Sequence, residues 1–533
     1  MSSAVSPAAS EVLRQAARRR TFAVISHPDA GKSTITEALA LHARAIGEAG
    51  AVHGKAGRRG VVSDWMAMER QRGISITSAA LQFAYRDVVV NLLDTPGHAD
   101  FSEDTYRVLT AVDCAVMLLD AAKGLEPQTL KLFQVCRQRR IPVITFINKW
   151  DRPGREPLAL LDEIEKGTGL RATPVTWPVG IAGEFHALVD RRTDGTTAFR
   201  RAPGGATTAT EEHLTATQAA ARYGEDWRRA VEELELLALT GADHDQQQFL
   251  AATTTPVMFG AAVANIGVRQ LLDILVDQAP APQARPDTDG GQREIAAPFS
   301  GFVFKIQANM DPAHRDQIAF VRVCSGHFTR GMTLTHATTG RPFATKYAQQ
   351  MFGQSRETID DAYPGDVIGL VNATALGIGD TLYEEQAVRF PPLPAFAPEH
   401  FAVLRARDAS KFKRFRRGVE QLDAEGVVQV LRSDRRGDQS PVLAAVGPMQ
   451  FEVATQRLQT EFAVPTALEP LPYEIARRTD RDGEERLRTA AGVEVLTRAR
   501  DGALLALFPN PWRMRAIANQ HPDVTLEPLL ADS

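Results

Sequence analysis

Cysteine is scarce in this chain: 533 residues contain three, at Cys114, Cys136 and Cys324. They lie far apart, without the spacing of paired metal ligands or of a disulfide framework, so no zinc site is expected. Cys114 and Cys324 sit in apolar, strand-like runs, which predicts buried thiols and fits a reducing cytosol. Also missing is any apolar run of the roughly 20 residues that a membrane-spanning helix needs, so no membrane is expected as a partner. There is no excess of positive charge. The net charge of −4 argues against a bulk cationic nucleic-acid binder but leaves room for a local basic face. Internal repeats and low-complexity tracts are absent. What is present is ordinary for a soluble globular protein, with 44% hydrophobic and 24% charged residues. The length suits roughly three domains at about 150 residues each. Arg18–Arg19–Arg20 has the flavour of an organelle transit peptide. Glu11 opposes that reading, and Ser10–Arg20 fits a short helix leading into the first strand, so a cytoplasmic location is expected.

From residue 20 to about 185, short apolar strands alternate with amphipathic helices, as at Val88–Leu93, Cys114–Leu119 and Pro142–Ile147. Near-continuous apolar strands separated by helices predict an α/β domain with a mostly parallel sheet covered on both faces, and ligands bind such sheets at the carboxyl ends of the strands. A polar, acidic stretch around Trp227–Leu239 breaks the rhythm and reads as a helical insertion at about 190–255, before a last strand, Pro256–Phe259. The first domain is therefore placed at 1–278. Ala279–Pro298 has linker composition and is a plausible place for relative movement. Short β runs punctuated by Gly and Pro then predict a β-barrel domain at 299–392. Mixed helices and strands predict an α+β C-terminal domain at 393–533.

Ser26–His27–Pro28–Asp29–Ala30–Gly31–Lys32–Ser33 follows the apolar run Phe22–Ile25 and precedes the helical pattern Ile35–Leu39, with Thr34 counted among the GTP-binding residues. In that strand–loop–helix context it reads as a phosphate-binding P-loop. Backbone amides and a helix N-terminus face the phosphates, Lys32 reaches the β/γ oxygens, and the Ser33 hydroxyl ligates Mg²⁺. Ser26 replaces the usual Gly but is small enough for the turn. Asp94–Thr95–Pro96–Gly97–His98 ends the strand Val88–Leu93. Its carboxylate can hold Mg²⁺ through water, and Gly97 lets an amide approach the γ-phosphate. Asn148–Lys149–Trp150–Asp151 ends another strand. There the Asp151 carboxylate can accept both the N1–H and the exocyclic amine of guanine, a pair adenine does not offer, while Asn148 meets the purine edge and the Lys149 stem stacks on the ring. Three motifs in this order, each at a strand end, predict a GTP-hydrolysing domain. Between the first two lies Arg72–Thr77, where Ser75, or alternatively Thr77, can give Mg²⁺ a second hydroxyl. His98 is placed to act on the attacking water, as base or as orienter. His27 reads as structural, and Asp29 as a candidate holder of a cation near the phosphates.

Together these motifs resemble the translational GTPases. Ser63–Glu69, Lys305–Pro312, Phe396–Phe401, Ala445–Phe451 and His521–Val524 resemble segments of the bacterial peptide chain release factor 3 family, over nearly the whole chain. The resemblance implies a cytoplasmic GTPase, stimulated by the ribosome, that promotes departure of class I peptide chain release factors after peptide release. It also implies GTP and GDP as ligands, Mg²⁺ as cofactor, and contacts with ribosomal RNA and stalk proteins. The last guanine-contacting loop is placed at Gly260–Val263, where Ala261 lacks a hydroxyl often found there, leaving chiefly backbone contacts from Ala261 and Ala262. Trp150 is a bulky choice at a variable position. The densest basic cluster, Lys411–Arg417, reads either as a solvated helix face with its aromatics inward or as a contact with ribosomal RNA or the stalk. An elongation factor G-like translocase or another ribosome-associated GTPase is the alternative, though about 140 residues after the barrel is short for the further domains of the former. Nothing demands more than a monomer.

Overall fold

The computed structural model describes residues 6–43, 80–200, 209–308, 317–352, 355–393, 396–433, 436–437 and 439–529. Its N-terminal part is organised by strands β1 (Arg19–Ser26), β2 (Ala80–Tyr85), β3 (Val88–Asp94), β4 (Cys114–Asp120), β5 (Val143–Asn148) and β6 (Arg171–Pro174). Four short strands follow, β7 (Thr176–Val179), β8 (Ala187–Asp190), β9 (Gly195–Arg200) and β10 (Thr210–Leu214), and then β11 (Thr254–Phe259). The main sheet has seven strands in the order β2-β3-β1-β4-β5-β11-β6. Its pairings are parallel apart from the antiparallel edge pair β2–β3. The strands are apolar along their whole length because helices cover both faces: every residue of β4, β5 and β11 is buried. The register lines up the carboxyl ends, with Val24 opposite Asp94, Ser26 opposite Leu118, and Asp120 opposite Asn148. Loops leaving those ends converge on one edge, the place where such sheets receive ligands.

The region read as a helical insertion is mixed. It departs from the main sheet at Thr176, where β7 to β10 make a separate antiparallel sheet in the order β10-β9-β8-β7. The helix Ala216–Leu239 follows, opened by a capping box between Thr215 and Gln218, and then Gln246–Leu250. The strand β11, late in sequence, inserts between β5 and the edge strand β6. Cys114 and Cys324 are buried, as expected, and so is Cys136, whose thiol burial pushes up to about 12.

Next comes an eight-stranded antiparallel sheet in which Ser300–Ala308 pairs with Gln317–Ser325, and after it another antiparallel sheet of eight strands carrying the helices Phe412–Ala424, Met449–Glu461 and Pro511–Gln520. The segment read as a linker carries contacts of its own. Arg285–Pro286 pairs with Gln292–Arg293, and the Arg293 guanidinium donates to Ser325 Oγ, Gln386 Oε1 and the Pro298 carbonyl at 3.1, 2.8 and 2.6 Å. Buried polar contacts also join the first two units. Arg19 Nε meets Asp366 Oδ2 at 2.8 Å, and an Arg322 guanidinium nitrogen meets Asp113 Oδ2 at 2.6 Å.

Candidate nucleotide site

The phosphate loop connects β1 to the helix Lys32–His42. Two residues in it take left-handed backbone conformations, Asp29 at φ 66° and Gly31 at φ 96°. At Gly31 the absence of a side chain is a packing requirement as well, since a Cβ would lie 2.5 Å from Asn148 Nδ2. Ser26 is buried and its hydroxyl donates to the His27 carbonyl at 2.9 Å. His27 is buried too, with Nε2 2.7 Å from Glu126 Oε2. Burial holds this imidazole below its ordinary value, with Glu126 opposing, which supports a structural role. Pro28 and Ala30 shape the loop, and Ser33 and Thr34 stand half-buried in the first turn of the helix.

Lys32 Nζ reaches across to Asp94 Oδ1 at 2.7 Å, and both side chains are buried. The loop after Asp94 is fixed by Thr95, whose hydroxyl donates to the Val24 carbonyl at 2.7 Å. Pro96 and Gly97 are buried beside the phosphate loop, with Gly97 closely facing Lys32 Cε and Pro28 Cα. His98 is about one-third exposed and caps a short helical turn, its Nδ1 accepting the Asp100 amide at 3.2 Å. Ser75, Thr77 and the rest of Arg72–Thr77 lie outside the described residues, as does Ser63–Glu69.

The end of the site predicted to take the base is held together by Asn148. Its Nδ2 donates to the Ala30 carbonyl at 2.8 Å and its Oδ1 accepts the Ala262 amide at 2.9 Å. One side chain thus joins the phosphate loop to the last loop. The Ala261 amide donates to the Ile266 carbonyl at 3.0 Å. Both alanine amides have protein acceptors, which shape this loop. Lys149, at φ 65°, places Nζ 2.8 Å from Asp120 Oδ2, which orients its stem. Trp150 is fully buried against Phe259, with ring centroids 4.9 Å apart, and its amide donates to the Gly260 carbonyl. The bulky residue is therefore an anchor between the Asn148–Asp151 and Gly260–Val263 loops. Asp151 Oδ1 is buried and makes no hydrogen bond among the described residues. A buried carboxylate oxygen left without a donor fits a ligand that brings N–H groups, as guanine does.

Asp120, Glu126, Asn148 in its clamping role and Trp150 as an anchor were not predicted from the motifs. Their partners come from other loops, and only the apolar burial expected of a tryptophan hinted at any of them.

A phosphate loop, an Asp94 loop and an Asn148 loop at the edge of this sheet, followed by antiparallel β units, define a translational GTPase. Residues 17–281 match the elongation factor Tu GTP binding domain and residues 298–385 match elongation factor G domain 2. A solved structure from Thermus thermophilus shares the fold, with a TM-score of 0.68 over 92% of this chain and 72% of that one, at 20% identity. Residues 390–518 match the class II release factor RF3 C-terminal domain. Peptide chain release factor 3 of Synechococcus elongatus is 49% identical over 97% of this chain and 94% of its own length. Its counterparts in Trichodesmium erythraeum and Symbiobacterium thermophilum are 48% and 47% identical, over 96% and 95% of this chain and 95% and 97% of theirs. The chain belongs to the peptide chain release factor 3 family.

Proposed function

We propose that the protein is a ribosome-stimulated GTPase of translation termination that promotes departure of class I release factors. The observation that carries this reading is one chain holding both an assembled guanine-nucleotide edge and a release-factor C-terminal domain, which also disfavours an elongation factor G-like role. The chain acts as a monomer in the cytoplasm, with domains at 1–278, 299–392 and 393–533.

GTP is the substrate. Backbone N–H groups of the Ser26–Ser33 loop, Pro28 having none, and the Lys32 ammonium hold its phosphates, and Asp151, Asn148 and Lys149 hold its base. Ser33, Asp94 and either Ser75 or Thr77 would hold Mg²⁺, which when bound neutralises charge on the β- and γ-phosphate oxygens. His98 positions the attacking water. The water oxygen bonds to the γ-phosphorus, the bond to the β–γ bridging oxygen breaks, and GDP and phosphate leave. Catalysis of this kind is mostly positioning and charge stabilisation. Loss of the γ-phosphate releases the segment after Asp94 and alters the preferred domain arrangement.

For ribosomal contact the helix Phe412–Ala424 is the favoured surface. Phe415 is buried and Phe412 packs beside it, while Lys413, Arg414, Arg416 and Arg417 are exposed. Arg416 is paired with Glu420 at 2.9 Å, so Lys413 and Arg414 are the better sites for charge reversal. Reversal is expected to weaken ribosome binding and flatten its salt dependence, and an unchanged salt series would remove ribosomal RNA as the partner of this face.

The deciding experiment measures GTP hydrolysis with and without ribosomes that carry a class I factor at a stop codon, and follows that factor's departure. Stimulated hydrolysis with faster departure supports the proposal. Stimulation without faster departure points to another ribosomal role, and no stimulation removes the ribosome.

A further inference from the structure

Asp100, two positions beyond His98, is gripped by the C-terminal domain. Its Oδ2 accepts the amide of Met449 at 2.7 Å. Met449 begins the helix Met449–Glu461, so a carboxylate sits where free N–H groups and the helix dipole favour an anion. Gly447 lies so close that a Cβ there would collide with the Asp100 carboxylate. Phe101 packs against Val453, with Val427 and Met449 around it. Gln450 holds the gripping loop, accepting the Val446 and Gly447 amides at 2.8 and 3.2 Å and donating to the Val427 carbonyl at 2.8 Å. On its other side Asp100 faces His98, whose Nδ1 is 3.2 Å from both the Asp100 amide nitrogen and Asp100 Oδ1.

We propose that Asp100 is a positioning residue for His98, through which docking of the C-terminal domain sets the imidazole for GTP hydrolysis. The two partners of Nδ1 demand opposite ring states. Accepting the amide requires a bare Nδ1, so the neutral ring carries its proton on Nε2 and can only donate there. Donating to the carboxylate places the proton on Nδ1 and leaves Nε2 with a lone pair for a water proton. The position of the carboxylate decides between these states, and Met449 and Gly447 fix that position. A shift of the C-terminal domain therefore reaches the imidazole through Asp100, with the Phe101 ring, 6.3 Å from the imidazole between centroids, as a second contact. This inference rests on the assignment of His98 to the attacking water.

The test compares His98→Ala, Asp100→Asn and Gly447→Ala in the full chain. Its readouts are the rate of ribosome-stimulated hydrolysis at saturation, GTP affinity, the ribosome concentration for half-stimulation, and the thermal midpoint. Asp100→Asn is nearly isosteric and keeps an oxygen for the Met449 amide but loses the charge that holds Nδ1–H. Gly447→Ala leaves the Asp100 carboxylate chemically intact and displaces it. If Gly447→Ala does not fold, Val453→Ala, which loosens the seat of Phe101, takes its place. Both Asp100→Asn and the docking variant are expected to slow the saturated rate roughly ten- to hundredfold, with both affinities held within about twofold. A wild-type rate in either, or a loss matched by an equal loss of GTP or ribosome affinity, overturns the inference. Should His98→Ala itself keep the wild-type rate, the His98 assignment fails and the inference with it. A slow His98→Ala beside unimpaired Asp100→Asn and Gly447→Ala overturns the positioning role alone.

Discussion

Gly31 and Asp151 mark the two ends of the proposed nucleotide site, and each makes a single-residue prediction. A side chain at Gly31 meets both a left-handed backbone at φ 96° and Asn148 Nδ2 at 2.5 Å. Gly31→Ala is therefore expected to push Asn148 off the Ala30 carbonyl and weaken GTP binding at least about tenfold, as read by titration with a fluorescent GTP analogue. Asp151→Asn puts a donor where guanine offers donors. Its expected effect is a loss of roughly 1.5–3 kcal/mol in GTP affinity, with the thermal midpoint of the free protein little changed. An equal loss for ATP would show that Asp151 does not read the base. The residues of the three motifs were legible because each motif is a local string following an apolar strand. Asn148 as a clamp was not, because its acceptor and donor, Ala30 and Ala262, lie 118 and 114 residues away. Trp150 carried a signal in its size, but a lone tryptophan does not say which loop it anchors.

Among the elements, the helix Phe412–Ala424 shows how far periodicity reaches. Phe415, Val419 and Leu422 are buried along one face with Gly418, and the cations stand on the other, as the spacing implies. The insertion was less legible because β7 to β10 are short and the acidic helix after them dominates its composition. Near the end of the basic helix Asp423 accepts the Val430 amide at 2.9 Å. Burial pushes its carboxyl up to about 6, even with that amide and Arg500, Arg498 and Arg432 working to lower it. A raised carboxyl binds its proton more tightly in the folded chain. Its contribution to stability is fully present below about pH 4 and is lost as the pH rises through about 6. Asp423→Asn keeps an oxygen for the Val430 amide and never ionises. The variant is expected to be more stable than the parent at pH 8, by roughly 1–3 kcal/mol, with the difference vanishing near pH 4. Urea denaturation at those two pH values checks both the sign and the window.

In the whole molecule the seams between domains differ in kind, which decides what can move. The GTPase and barrel units share buried ion pairs, Arg19 with Asp366 and Arg322 with Asp113. Asp366 also accepts from Gln82 Nε2 at 2.9 Å and from the Tyr363 amide at 2.9 Å, while Thr21 donates to the Gly365 carbonyl at 2.7 Å. Removing one partner of such a pair leaves a buried charge uncompensated, at a cost of about 3–5 kcal/mol. By contrast, the contact of the Asp94–His98 loop with the C-terminal domain centres on Asp100 and Phe101, just where the γ-phosphate is expected to act. The first two units should therefore move as one body while the third shifts against them. Amide hydrogen exchange on the GDP form and on the form with a non-hydrolysable GTP analogue separates these seams. Protection of Thr21–Val24 and Val321–Val323 is expected to be the same in both forms, and protection of Met449–Val453 to change. Asp366→Ala should raise exchange along the first seam in both forms alike. A nucleotide-dependent change at Val321–Val323 in the parent protein would instead place the hinge at the linker, because strands locked by buried ion pairs open only when those pairs break.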